Sequence, residues 1–417
     1  MTDWTRLADL LPQLALDNDK AGGALSIIHN NKLVLSSAFG QANAHADWTP
    51  ATLSVSFSIG KGVMASLIAV LVSQGVLDYK AKIADYWSAF AQNGKDAITV
   101  LDVLTHRADL FAISSVINDN AWVSDWQTML DKVAAMPRTA PADPKNIGFV
   151  SAYSALVSGW ILGGLVEHAT NKPLQTVLDD YLARPLGVEG EMFFGLPYAL
   201  HDNIAVPERL FFDRSARTKP TLTPDSPATR ALYASLLLPA WQALGDNINT
   251  QMLNKLYFDT HAMQLGNYKD ALLADGKTPI NYYDKTVLAT PIPAANGVFS
   301  SRALVALYAM HANDGVYDDH TFIDANTLQT MRQIYSDGQD AVMPASMQWR
   351  AGFHKLFTTQ HAPKAYGHMG YNGSVAFCDP ERKLAVAFIH NFDTTLLNDV
   401  RQFIVSEMVL HLVDNSC

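Results

Sequence analysis

Ser58 and Lys61 stand three residues apart in Ser58-Ile59-Gly60-Lys61, at the head of the apolar run VMASLIAVLVSQG. On a helix, residues three apart share a face, so the amine lies beside the hydroxyl. A free serine is a poor nucleophile and needs a neighbouring base. Lysine serves as that base only where burial or nearby positive charge lowers its pKa. The apolar run supplies burial, and the helix start supplies backbone N–H donors for an oxyanion. Taken alone, the spacing is weak, since a serine that caps a helix followed by an exposed lysine gives the same pattern.

Two further groups strengthen the pattern. Tyr153-Ser154-Ala155 opens a second apolar run, LVSGWILGGLVEH. A lysine ammonium near the Tyr153 phenol would favour the phenolate, a general base. The alternative is a tyrosine that only packs its ring into the core. Further on, His368-Met369-Gly370 precedes Tyr371-Asn372-Gly373-Ser374 and a strand. Its glycines, Gly370 among them, let backbone approach a ligand closely. An edge strand here offers an N–H to an oxyanion. The alternative is a tight turn with a surface histidine.

The elements that position these groups follow from pattern. Asp3–Asn18 reads as helical, interrupted at Pro12. Ala24–His29 and Lys32–Phe39 read as strands joined by a tight turn at Asn30-Asn31. The helix from Ser58 is apolar nearly all round and expected to be buried, with Gly75 at its C-terminus. Helical patterns dominate from Val76 to about Thr290, and Arg302–Asn313 reads as an amphipathic helix. Gln348–Lys355, Ser374–Asp379 and Lys383–His390 read as strands, and Thr394–Val413 as a closing helix. Strands at both ends of the chain imply one antiparallel sheet assembled from both, within an α/β (α+β) fold. The expected division is residues 1–75 with 290–417 as the sheet domain, and 76–289 as a mainly helical domain carrying pocket loops.

Composition narrows the function. The chain has 417 residues, is 49% hydrophobic and 17% charged, and carries a net charge of -10. No basic stripe calls for nucleic acid. Met1–Leu11 lacks the basic and apolar regions of a signal peptide, so a cytoplasmic location is expected. The apolar runs are too short to span a membrane. Cys378 and Cys417 read as unpaired thiols. No G-x-S-x-G elbow is present, so an α/β-hydrolase is not expected; no H-E-x-x-H or cysteine pair suggests zinc, and neither metal nor cofactor is expected. His311, Asp314, Asp318, Asp319 and His320 read as a solvated loop rather than a metal site. The rings Phe211, Phe212, Tyr233, Trp241, Tyr257, Phe258, Tyr282 and Tyr283 serve either an acyl pocket or plain packing.

Taken in order, these segments resemble a known group: class C β-lactamases, DD-peptidases, D-aminopeptidases and family VIII carboxylesterases. FSIGKGVMASLIAVLVSQGVLD is similar to their nucleophile helix, ITVLDVLTHRADL to "LLTHTSGL", and YSALVSGWILGGLVEHATNKPL to the tyrosine motif. ANGVFSSRALVALYAMHANDG resembles "GGLFST", and HMGYNGSVAFCDPERKLAVAFIHN the third motif and last hairpin. The resemblance implies a β-lactamase/transpeptidase-like fold. It implies Ser58 as nucleophile, Lys61 as proton acceptor and Tyr153 as acid/base, with His368 first in the third motif. The Ser58 and Tyr371 N–H groups would form the oxyanion hole. Ala155 stands where the group carries an asparagine, and His368 where it carries a lysine. Both departures favour an esterase or peptidase over an efficient β-lactamase; hydrolysis of small carboxylic esters is the leading expectation, and hydrolysis of amides, meaning β-lactams or D-amino-acid peptides, is the second. They also leave open a binding or self-assembling member without turnover. The partner implied is a small ester or amide.

Overall fold

The computed structural model describes residues 2–18, 20–211 and 224–415; Phe212 and Cys417 lie outside these. Its centre is a six-stranded antiparallel sheet built from both ends of the chain. The strands are β1 (Gly23–His29), β2 (Lys32–Phe39), β3 (His354–Lys355), β4 (Tyr366–Met369), β5 (Val375–Asp379) and β6 (Leu384–His390), in spatial order β3-β4-β5-β6-β1-β2. Gly23 pairs with His390 and His29 with Leu384, so the closing register runs the full length of β1. Asn30 and Asn31 both have positive φ, which the two-residue turn between right-twisted strands requires.

Side-chain alternation sends each strand's residues to two different cores. Leu25, Ile27, Val375, Phe377, Val386 and Phe388 pack with Leu7, Leu10, Phe403 and Ile404, from helices α1 (Thr5–Leu10) and α5 (Arg401–Asp414). Ala24, Ala376, Ala385 and Ala387 face the other core, with α2 (Ile59–Ser73), α3 (Val157–Thr170) and α4 (Ser301–Ala312). Small residues on that face bring α4 close enough for Ser26 and Ser301 hydroxyls to bond at 2.9 Å.

Some elements differ from expectation. Every residue of α4 except Arg302 is buried, so this helix is central rather than amphipathic. The strand expected over Gln348–Lys355 shrinks to its last two residues, because Gln348 and Gly352 adopt positive φ and break the extension. Tyr153 lies ahead of α3, not on it. The Tyr153 N–H is taken by the Asp340 carboxylate and the Ser154 N–H by His106 Nδ1, which holds residues 153–154 off the helix. Two of the aromatic residues read from the sequence, Trp241 and Tyr257, tie the intervening segment to α5. Trp241 Nε1–H donates to the Tyr257 hydroxyl, which donates to Glu407, and Tyr257 stacks on Phe403 at 3.7 Å. No described helix is long and apolar enough to cross a membrane.

A short wedge, residues 292–296, fits between α2 and α3 through glycines. A Cβ on Gly60 would sit 2.5 Å from the Pro293 carbonyl oxygen, and one on Gly159 would sit 2.4 Å from the Ala294 nitrogen. The buried Asn296 side chain fixes the wedge, accepting from the Ile292 N–H and donating to the Val287 and Thr290 carbonyls. Backbone cannot yield to a new methyl as a side-chain tip can. Gly159→Ala is therefore expected to lower stability by about 1–3 kcal/mol, read as a fall in the urea midpoint at unchanged m.

Candidate active site

Ser58 occupies the position just before α2, and its side chain makes no capping bond, which leaves the hydroxyl free for other work. One turn on, Lys61 is only 6% exposed, so the surface-lysine alternative fails. Its Nζ lies 3.2 Å from Ser58 Oγ, 2.6 Å from the Ala155 carbonyl oxygen and 2.8 Å from the Ala294 carbonyl oxygen. Burial holds its pKa well below the usual 10.5. A neutral amine has two N–H donors and one lone pair. In its neutral form Lys61 would give those two donors to the carbonyls of Ala155 and Ala294 and leave the lone pair for the Ser58 hydroxyl.

Tyr153 completes a trio. Its ring lines the same cleft as Ser58, and the ring centroid is 4.8 Å from Lys61 Nζ. The phenolate expected from the sequence does not fit this setting. Burial pushes the phenol upward while it pushes the amine downward, which disfavours the charged form of each. The Tyr153 ring stacks on Trp349 at 5.5 Å and meets His106 edge-on at 5.1 Å.

The third motif sits across the opening. His368 is buried, with Nδ1–H donating to the Met369 carbonyl, and its Nε2 has no partner among the described residues. Burial first, then the nearby His354 and Lys61, hold its pKa well below 6.5, so it is no stand-in for a lysine cation. His354 accepts the Met369 N–H on Nε2, donates from Nδ1 to the Lys355 carbonyl, and is pushed down to about 4 by burial. Strand β4 is not the edge expected, since β3 pairs with Tyr366 and Gly367; only its far end is open on that side. There Gly370 N–H donates to the Ser374 carbonyl at 2.7 Å. Tyr371 stands at the rim, 38% exposed, and lines the same cleft as Tyr268. Among the described residues, no backbone hydrogen bond engages the N–H of Ser58 or of Tyr371.

Ser58, Tyr153, His368 and Tyr371 thus line one cleft of about 980 Å³, counted out to its mouth, with Lys61 beneath. The rest of its wall includes Leu272, Leu273, Ile280, Met347, Leu396 and Leu397. Of the rings read from the sequence, Tyr282 lines the cleft, whereas Tyr233, Trp241, Tyr257 and Phe258 belong to the core beside α5. His311 is buried and bonded to Ser66, away from the exposed His320, and no metal-binding cluster occurs among the described residues.

Sequence reading missed Asp340. Its buried carboxylate accepts from Ser151 Oγ, Trp349 Nε1 and the N–H groups of Tyr153, Val342 and Met343. It therefore orders both the loop of Tyr153 and the ring beneath it. Burial raises its pKa by more than these bonds lower it. Asp340→Ala leaves several buried donors unpaired at about 1–3 kcal/mol each. The expected outcome is a loss of several kcal/mol in urea unfolding, with Asp340→Asn recovering part of it.

The Beta-lactamase family profile matches residues 7–405. The chain is 30% identical over 378 residues to Esterase/beta-lactamase LipL of Mycobacterium tuberculosis, covering 89% of this chain and 77% of that one. Its fold is similar to that of a penicillin-binding protein homolog from Caulobacter crescentus, with a TM-score of 0.75 and 26% identity over 98% of this chain and 97% of that one. A family VIII carboxylesterase gives a TM-score of 0.72 at 22% identity, covering 99% and 96%. With a profile matched along nearly its whole length, the chain belongs to the beta-lactamase family of serine hydrolases.

Proposed function

We propose that the protein is a carboxylesterase that hydrolyses small esters through an acyl-enzyme on Ser58. The observation that carries this reading is the cleft wall. Among the described residues no lysine, arginine, aspartate or glutamate lines it, and its two imidazoles, His354 and His368, are held neutral. An uncharged ester with an apolar acyl group loses little on entering such a space. A β-lactam carboxylate would enter without a cation to meet it, and Ala155 offers no side-chain amide to its acyl carbonyl. The relative named as an esterase/beta-lactamase supports the same chemistry.

In this reading the Lys61 lone pair takes the Ser58 proton as Oγ attacks the ester carbonyl. The developing oxyanion is met by the N–H groups of Ser58 and Tyr371. The proton on Lys61 passes by way of the Tyr153 phenol to the departing alkoxide. Water then attacks the acyl-enzyme by the same route in reverse. The protein would act as a cytoplasmic enzyme on a freely diffusing substrate, and residues 268–282 of the intervening domain would supply one wall of its pocket.

The pH dependence follows from the direction of the Lys61 shift. A depressed pKa means that the neutral, proton-accepting form prevails above the depressed value. Activity is expected to be present at neutral pH and to fall on acidification, with a limb in kcat/KM well below 10.5. Lys61→Arg is expected to lower kcat by on the order of a thousandfold, since guanidinium does not give up its proton. Full activity in that variant would contradict the role.

Substrate choice is tested with p-nitrophenyl butyrate and a chromogenic cephalosporin. The ester is expected to be turned over clearly and the cephalosporin weakly, with Ser58→Ala abolishing both turnover and fluorophosphonate labelling. Preference for the cephalosporin, or labelling that survives Ser58→Ala, would overturn the proposal.

A further inference from the structure

Phe57 directly precedes Ser58, and its φ of 49° lies in the left-handed region. Bulky side chains are disfavoured there, whereas glycine takes that backbone freely. The bulk at this position is placed where it meets the substrate space. The ring is half-buried, lines the cleft beside Ser58, and is held from two directions. Tyr282 meets it at 5.8 Å with planes at 89°, and Tyr371 at 6.1 Å. Tyr268 lines the same cleft beside Tyr371 and Tyr282. These contacts restrain the Phe57 ring beside the nucleophile.

We infer that Phe57 is a specificity-determining residue that limits bulk on the carbon next to the reacting carbonyl, admitting straight acyl chains and refusing α-branched ones. The inference rests on the esterase reading of the site. An acyl group bonded to Ser58 Oγ brings its first substituents beside the chain neighbour of the nucleophile. Atoms farther along a straight chain move out toward Leu272, Leu273, Ile280, Leu396 and Leu397, which are apolar and line the same cleft. A quaternary α-carbon has no such escape, because its methyl groups stay within one bond of the carbonyl.

The test compares kcat/KM for p-nitrophenyl butyrate and p-nitrophenyl 2,2-dimethylpropanoate in the wild-type protein, Phe57→Gly and Phe57→Leu. Glycine suits the positive φ, so Phe57→Gly removes the ring without straining the chain. In Phe57→Gly the butyrate-to-dimethylpropanoate ratio is expected to fall by about tenfold or more, the scale set by one or two methylene-sized changes in an apolar pocket. The fall should come from a gain on the branched ester, with Phe57→Leu intermediate. A ratio unchanged within about twofold, with both esters falling together, would show a purely backbone role and overturn the inference alone. Hydrolysis of neither ester by the wild-type protein would overturn the esterase reading and this inference with it.

Discussion

A buried lysine with no carboxylate beside it among the described residues is the constraint around which this molecule is arranged. Lys61 is enclosed by α2, the loop carrying Tyr153 and the 292–296 wedge, and its nitrogen meets two carbonyl oxygens and the Ser58 hydroxyl. Removing an ammonium from water without a counter-charge is costly, and a group in that position sheds its proton instead. In the proposed mechanism the site therefore needs no carboxylate to make a base. It needs only that water stay out and that the two carbonyls stay in place.

Much of the surrounding architecture serves those two conditions. The Ala294 carbonyl is set by a wedge that closes on glycines from α2 and α3 and is tied down by Asn296. The Ala155 carbonyl is set by residues kept out of α3, because Asp340 and His106 claim their backbone donors. Trp349 lies beneath the Tyr153 ring and donates to the same Asp340. One carboxylate thus coordinates the loop, the phenol and the ring, although it is far from Ser58 in sequence.

What could be read from the sequence was what local pattern encodes. The Ser58–Lys61 spacing, the buried helix, the Asn30-Asn31 turn and the joining of strands from both ends of the chain all follow from periodicity and turn chemistry. What escaped was decided by partners distant in sequence. An aspartate in a loop between Gly338 and Pro344 looks the same whether it faces water or anchors five donors. The amphipathic reading of α4 failed because polar residues such as Ser301 and His311 found buried hydroxyl partners. The phenolate expected at Tyr153 presumed a charged lysine, and the enclosure that disfavours that charge comes from three separate segments. Positive φ at Gln348 and Gly352 cut short a strand that composition favoured.

The pairing of β1 with β6 has a consequence for how the protein is made. Both strands are central in the sheet, and Gly23 meets its partner only at His390. On a ribosome, the β1–β2 hairpin emerges before β6, and its open flank waits while the whole stretch from Phe39 to Leu384 is synthesised. Contacts between segments so distant in sequence carry a large loop-closure entropy and form slowly. Through that interval the apolar residues of β1, Leu25 and Ile27 among them, have no neighbouring strand to cover them on that side. The hairpin is therefore the stretch most exposed to association with other nascent chains, and most in need of a chaperone, until β6 arrives.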